Sequence, residues 1–320
     1  MKLYDKPGIH LWIYNNPFWG VSDQLDFFVA AFKQHGYAVT IGKQPSHSSL
    51  NVVIENFTYE EKNILSEFCE SSGKRVAVIM TEHIDFVDSD IFVHGEMFSN
   101  NNDYMHPVIQ FNRVRYLMEC LPYIRCFFVL GDLPELVNMH AMLPGIDVRN
   151  IPFPKIEVIE NNREDRVVND FIFTGGETEY RSSVYSVLDE EGFSINWPKK
   201  TVSRKTRNDL NTKSKIVLNL PQRGSWRWLS LMRIVAALRC GRATVSLGTQ
   251  DDSNISECTF QRDLGSSGWV ETLKEYVENW FQLYQTAHEN YTLMADRFER
   301  SHGFPDDLVE FWAITDGIST

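Results

Sequence analysis

The chain has 320 residues, 43% of them hydrophobic and 23% charged, and a net charge of −12. That supplies enough apolar material for two domains or one large one and argues against wholesale disorder. The negative charge argues against general binding to DNA or to anionic membrane. No apolar run reaches the ~18–20 residues needed to span a bilayer, and the N-terminal "MKLYDKPGIHLWIYNN" has too short an apolar stretch for a signal peptide. The five cysteines, Cys69, Cys120, Cys126, Cys240 and Cys258, form no CxxC and signal neither a disulfide framework nor a zinc site. These features predict a soluble protein of a reducing compartment, the cytoplasm.

The first half alternates strand and helix patterns. "IHLWIYN" reads as a strand and "VSDQLDFFVAAFKQHG" as a helix, capped by Ser22 or Asp23 and ended by Gly36. "YAVTIG" and "LNVVIEN" are strands. In "TYEEKNILSEFCESSGK", Thr58 and Glu61 have capping-box spacing. "RVAVIMTEH" is a strand, "NRVRYLMECLPYIR" a helix and "CFFVLGD" a strand. Near-continuous apolar strands separated by helices predict a parallel sheet covered on both faces.

"NIPFPKIEVIENNRED" interrupts this order, with two prolines and a polar run of linker character. The pattern then restarts. "DFIFTGG" is a strand, "TEYRSSVYSVLDEEG" a helix and "FSINWP" a strand. "SRKTRNDLNTKS" is a helix, "KIVLNLP" a strand, "LSLMRIVAALRCG" a helix and "RATVSLG" a strand. From Trp269 onward the apolar spacing predicts one long amphipathic helix, and "SHGFPDDLVEFWAI" follows it. The predicted fold is α/β, with two Rossmann-like domains whose parallel sheets face a cleft. Ligands belong at the carboxyl ends of such strands.

From Arg181 to Arg262 there are 14 Lys or Arg against 7 Asp or Glu. A basic segment in an acidic chain suggests a small anionic ligand. Gly175 and Gly176 end a strand just before a helix, where the backbone can approach an anion and a helix N-terminus offers free N–H groups. Arg181 adds a fixed charge in that helix's first turn. A tight strand–helix turn with a surface arginine accounts for this stretch equally well. GxGxxG is absent and "FSINWP" carries no acidic residue for a ribose, which argues against a dinucleotide fold. GxxxxGK[ST] and GxSxG are absent too. No DxD occurs apart from the loose "DSD" at Asp88–Asp90, and the histidines form no HExxH, so no metal is called for.

"KIVLNLPQRGSWRWLSLMRIVAALRCGRATVSLG", Lys215 to Gly248, resembles the nucleotide-sugar half of GT-B glycosyltransferases, particularly the group related to spore-maturation proteins. Those proteins carry "K-I-x-L-N" followed by "R-x-x-E-A-L-A-x-G-x-x-x-V-S". The matches here are Lys215, Ile216, Leu218, Asn219, Arg233 and "AALRCG…TVS", and the likeness covers roughly residues 170–300. The sequence departs from that pattern at Trp228 and Ala236, where many such enzymes carry two Glu eight residues apart, one of them on the nucleotide ribose.

The resemblance implies residues 1–155 as an acceptor domain and 166–300 as a nucleotide-sugar donor domain. Residues 301–320 would pack back on the cleft or on the first domain. It implies sugar transfer from a nucleotide-sugar to an acceptor hydroxyl without metal or resident cofactor, the nucleotide-sugar being a co-substrate. Gly175, Gly176, Arg181, Lys205, Gln222, Arg223, Ser225 and Arg233 would hold the donor. Asn16, Trp19, Gly20 and Asp23, in the loop after the first strand, would hold acceptor or sugar. Glu55, Glu82, His83 and Asp132 lie at strand ends of the first half; Glu82 is the favoured general base and His83 the next, and a retaining enzyme would need neither. A nucleotide-sugar 2-epimerase and a non-catalytic nucleotide-sugar binder are the alternatives.

Overall fold

The structure is a computed structural model, and it describes residues 6–14, 21–55, 58–87, 90–93, 95–97, 107–133, 145–159, 167–200 and 202–318. The chain divides into two compact units. Unit 1 comprises Met1–Pro17, Gln24–Pro154 and Glu299–Thr320, and unit 2 comprises Phe18–Asp23 and Lys155–Phe298.

Unit 1 is built on a six-stranded parallel sheet. Its strands are β1 (Ile9–Trp12), β2 (Val39–Gly42), β3 (Leu50–Ile54), β4 (Val76–Met80), β8 (Ile124–Leu130) and β9 (Asp147–Ile151), in the spatial order β2-β1-β3-β4-β8-β9. Every residue of β4 is buried, as a central strand covered on both faces requires. Helices α1 (Ser22–Gln34), α2 (Tyr59–Ser72) and α3 (Pro107–Cys120) separate the strands. The Thr58 hydroxyl accepts from the Glu61 amide and the Glu61 carboxylate accepts from the Thr58 amide, so the predicted capping box closes α2 at its start. Between β4 and α3 a small antiparallel sheet, β5 (Ile84–Val87), β6 (Asp90–Val93) and β7 (Glu96–Met97), occupies a stretch that the sequence pattern left irregular. Asp90, one end of the loose "DSD", opens its middle strand, and Asp88 lies outside the described residues.

Unit 2 has a separate five-stranded parallel sheet, so the restart at Phe171 does begin a second fold. Its strands are β10 (Asn169–Ile172), β11 (Ile195–Asn196), β12 (Ser214–Asn219), β13 (Ala243–Leu247) and β14 (Phe260–Arg262), ordered β11-β10-β12-β13-β14. The helices are α4 (Glu179–Glu190), α5 (Arg204–Thr212), α6 (Leu231–Arg239), α7 (Trp269–Glu278) and α8 (Trp280–His302), the last running across the division between the units. The long helix predicted from Trp269 is thus two. Asn279 separates them, its side-chain amide and its backbone N–H both donating to the Glu275 carbonyl, at 2.9 and 3.0 Å.

The last helix, α9 (Asp306–Thr315), belongs to unit 1. Asp306 accepts from the Tyr37 hydroxyl at 2.6 Å and from Lys6 at 2.7 Å, and Asp316 accepts from the Arg75 amide at 2.8 Å. Phe304 packs on Phe32, His35 and Tyr37.

Each unit begins with the same spatial order, its second strand outside its first and its third on the other side. The connections reverse direction between β1 and β3 in unit 1 and between β10 and β12 in unit 2. A crevice opens beyond the carboxyl ends of the strands at such a reversal, because the connecting helices leave to opposite faces. The two reversals therefore mark where each unit offers a site.

Candidate functional site

In unit 2 the reversal collects Phe173 after β10, Asn219 at the end of β12, Arg181 in the first turn of α4 and Arg233 in the first turn of α6. The guanidinium carbons of Arg181 and Arg233 each lie 5.0 Å from the centroid of the buried Phe173 ring. Gly175 is glycine because of that ring. A Cβ there would collide with it, with Cε1 at 2.7 Å, and would stand 3.2 Å from Arg181 Nη1.

Arg181 is committed to the backbone. Its Nε and Nη2 donate to the Leu220 carbonyl, Nε also to the Pro221 carbonyl, and Nη1 to the Gly176 carbonyl at 2.9 Å. The chain turns at Pro221 and leaves those carbonyls without ladder partners, and a buried arginine satisfies them. Arg181 therefore ties two strand-end loops together, a different task from the free anion-facing charge expected of it. Thr178 adds a second tie, accepting from the Arg181 amide as N-cap and donating to the Gln222 carbonyl at 2.9 Å. Burial pulls the Arg181 pKa down to about 10.

Arg233 is bound differently. Nη1 donates to Asn219 Oδ1 at 2.7 Å, and among the described residues Arg233 forms no ion pair. Desolvation, then the charges of Arg181 and Arg207, bring its pKa down to about 9. The carboxylate whose field opposes this is Asp23, and both its oxygens are held by Arg207, with Nη2 to Oδ1 at 3.0 Å. Asp23, expected on the acceptor side, thus lies in the arginine cluster of unit 2.

Behind Asn219 runs a buried polar chain. Asn219 Nδ2 donates to Ser246 Oγ at 3.1 Å, Ser246 shares a 2.9 Å bond with the Thr259 hydroxyl, and Thr244 donates to Thr259 at 2.7 Å. Asn219 and Ser246 are cross-strand partners on β12 and β13, so the sheet register itself sets this contact.

The remaining donor-side expectations separate. Gly176 is exposed with open space around its α-carbon. Lys205 is exposed on α5, whereas Arg207 turns toward the cluster. Arg223 is half-buried, 5.9 Å from the ring centroid of the buried Trp226, and Ser225 is exposed. Gln222 contributes its carbonyl to Thr178. Sequence reasoning missed Arg207 and Phe173. Helical spacing carried a signal for Arg207: Leu210 and Asn211 lie three and four residues on and are at least partly covered, which puts residue 207 on the inner face and residue 205 off it.

In unit 1 the reversal holds Glu55, at the end of β3 and fully buried. Arg113 of α3 grips it with both prongs, Nε to Oε1 at 2.6 Å and Nη2 to Oε2 at 2.8 Å, and reaches Glu82 Oε1 through Nη1 at 3.1 Å. The Thr81 hydroxyl donates to Glu55 at 3.2 Å. Complete burial and the Glu82 carboxylate push the Glu55 pKa up to about 7 against the pull of Arg113. Glu82 is therefore one of two carboxylates sharing an arginine that sequence reasoning missed. His83 beside it is buried, and Asp132 stands at the end of β8, away from the reversal. Asn16, Trp19 and Gly20 lie outside the described residues.

Among the described residues no three His, Cys, Asp or Glu side chains group as a metal site would need, and all five cysteines are free and buried. No helix among them is long and apolar enough to cross a membrane.

No protein-family profile matches the sequence. No curated protein sequence matches it. Solved structures do match. The DNA-modifying enzyme β-glucosyltransferase, determined in the presence and absence of uridine diphosphoglucose, is 11% identical, with a TM-score of 0.50 over 97% of this chain and 99% of its own. AviGT4, a glycosyltransferase involved in avilamycin A biosynthesis, is 11% identical with a TM-score of 0.47 over 98% of each chain. TarM is 9% identical with a TM-score of 0.42 over 85% of this chain, which spans only 55% of TarM's length. The structural neighbours are GT-B glycosyltransferases, and the two parallel-sheet α/β units of this chain are of the kind such enzymes contain.

Proposed function

We propose that the protein is a glycosyltransferase that moves a sugar from a nucleotide-sugar to an acceptor hydroxyl, with residues 166–300 taking the donor and residues 1–155 the acceptor. The observation that carries this reading is Arg233: a desolvated cation at the strand reversal of unit 2, reinforced by Arg181 and Arg207 and given only a neutral partner among the described residues. A half-buried charge without an opposite partner is costly, and a diphosphate would supply what it lacks. Glycosyl transfer needs such a cation because the leaving nucleoside diphosphate gains negative charge as the bond to the sugar breaks. The likeness of "KIVLN" and "AALRCGRATVS" to the spore-maturation-protein-like group adds the nucleotide-sugar class to the reading.

In this reaction the acceptor oxygen bonds to the anomeric carbon and its proton passes to a base. The bond from that carbon to the diphosphate oxygen breaks, and the oxygen keeps the electron pair. Glu82 is the proposed base, with Arg113 holding its carboxylate. The charge of the leaving group falls to protein cations, Arg233 with Arg223, and no metal is required in the scheme. Arg181 serves by fixing the Gly176 loop. Residues 301–320 complete the acceptor domain.

Calorimetric titration of UDP, GDP, ADP and CDP tests the donor half. One of them should bind, and Arg233→Ala should weaken it about 10- to 100-fold, the worth of one charge-assisted contact. Equal affinity in Arg233→Ala and in Arg223→Ala would remove the site from where it is placed.

A further inference from the structure

Arginines partly withdrawn from water are often neutralised by a carboxylate, and this chain does so in the half-buried Arg113 with Glu55 and Arg207 with Asp23. In the cluster of unit 2, Arg181 is satisfied by backbone carbonyls and Arg207 by Asp23, whereas Arg233 has neither among the described residues. The atom facing its Nη1 at 2.7 Å is the oxygen of an uncharged amide. We infer that Asn219 is a positioning residue that orients Arg233 while leaving its charge uncompensated, so that an anionic group of the ligand, a diphosphate on the reading above, completes the ion pair.

Three features make an amide the right group at this place. An asparagine oxygen accepts as a carboxylate does and so fixes the direction of the guanidinium, but it carries no net charge to spend the attraction. The amide has a defined sense: its Nδ2 donates to Ser246 Oγ at 3.1 Å, which turns Oδ1 toward the arginine. The Ser246 hydroxyl is in turn held by Thr259, which bonds to Thr244, so the orientation rests on a buried chain and not on a mobile side chain. Asn219 itself is 2% exposed and cannot exchange its partners for solvent. Asp23, the carboxylate whose field reaches Arg233, is kept on Arg207 by two bonds, so neither neighbour quenches the site.

The isosteric change Asn219→Asp separates this role from a purely structural one. A carboxylate accepts from Arg233 as well as an amide does, and the rotatable Ser246 hydroxyl can donate to it, so a structural role predicts little change in ligand binding. The charge role predicts that the introduced carboxylate takes the place of the ligand's anion. Inorganic pyrophosphate and UDP are the probes, titrated into the full chain by calorimetry at low salt. The expected result is binding to the wild-type protein, with affinity about 10- to 100-fold weaker in Asn219→Asp. The second readout is ligand-free. Asn219→Asp should hold or raise the Tm when Arg233 is present and lower it in an Arg233→Met background, because only the first pairs the new charge.

Equal pyrophosphate and UDP affinity in wild type and Asn219→Asp would overturn the inference and leave the donor reading standing. So would the same Tm change in both backgrounds. Failure of the wild-type protein to bind pyrophosphate or any of UDP, GDP, ADP and CDP would overturn the donor reading and this inference with it.

Discussion

The two strand reversals carry opposite charge arithmetic. In unit 1, two carboxylates, Glu55 and Glu82, share one arginine. In unit 2, three arginines gather with one carboxylate, Asp23. The same strand order thus presents a surplus negative charge in one unit and surplus positive charge in the other. A parallel sheet explains where both clusters are but not their sign, which is set by side chains at the strand ends. The contrast suits a reaction in which one partner gives up a proton and the other departs as an anion. It also shows two uses of half-buried arginine: Arg113 is engaged by acids, whereas Arg233 is oriented by an amide and given no carboxylate among the described residues.

Breaking the acidic cluster at its hub should have the largest effect. Arg113→Met leaves Glu55 buried beside Glu82 without its partner, and removing one member of a buried pair costs about 3–5 kcal/mol. Denaturant unfolding at pH 7 measures this. The loss should shrink at pH 5, where Glu55 can take up a proton; a pH-independent loss would mean that Glu55 is not the group that suffers. Next comes Glu82→Gln, which keeps the shape and removes the basicity. On the transferase reading, turnover should fall about a hundredfold or more while nucleoside-diphosphate affinity persists. Near-normal turnover with a large loss in His83→Ala would move the base to the histidine.

In the basic cluster, Arg207→Gln sharpens the comparison. It frees Asp23, whose field already reaches Arg233, and should weaken nucleoside-diphosphate binding several-fold; an unchanged Kd would show that Asp23 is no competitor. A further effect is a slope. The Glu55 pKa is raised from 4.5 to about 7 in the folded protein, so the folded state binds the extra proton in that window. Stability should therefore fall as pH rises from about 4.5 to about 7, by at most about 1.4 kcal/mol per pH unit from this group. Glu55→Gln should flatten that part of the stability–pH curve.

Elements with a local signature were legible in the sequence. Strand β4 is an unbroken apolar run, β3, β12 and β13 are built around apolar, β-branched residues, and the Thr58–Glu61 box announces α2. Strands β9 and β14 were not, since "DVRNI" and "FQR" are short and polar and become strands by pairing with β8 and β13. The charged clusters were the least legible part. Glu55 meets Arg113 across 58 residues, and Asp23 meets Arg207 across 184. Such pairs are chosen by the fold, and only the helical face of Arg207 left a trace in local spacing. Arg181 shows the converse. Its position beside two glycines suggested a ligand, but the proline turn at Pro221 supplied carbonyls that needed a donor.

The return of residues 299–320 to unit 1 sets an order for biosynthesis. Domains of a nascent chain ordinarily fold in sequence, the first one made folding first. Here unit 1 cannot finish in its turn. Tyr37 and Lys6, made well before it, wait for Asp306, and the Arg75 amide waits for Asp316. The strands of the first sheet leave the ribosome with those partners absent, while Lys155–Phe298 emerges carrying every strand of its own sheet. Helix α9, translated after every strand of the second sheet, is therefore the element that closes unit 1, and a chain cut before it would leave unit 1 without these contacts.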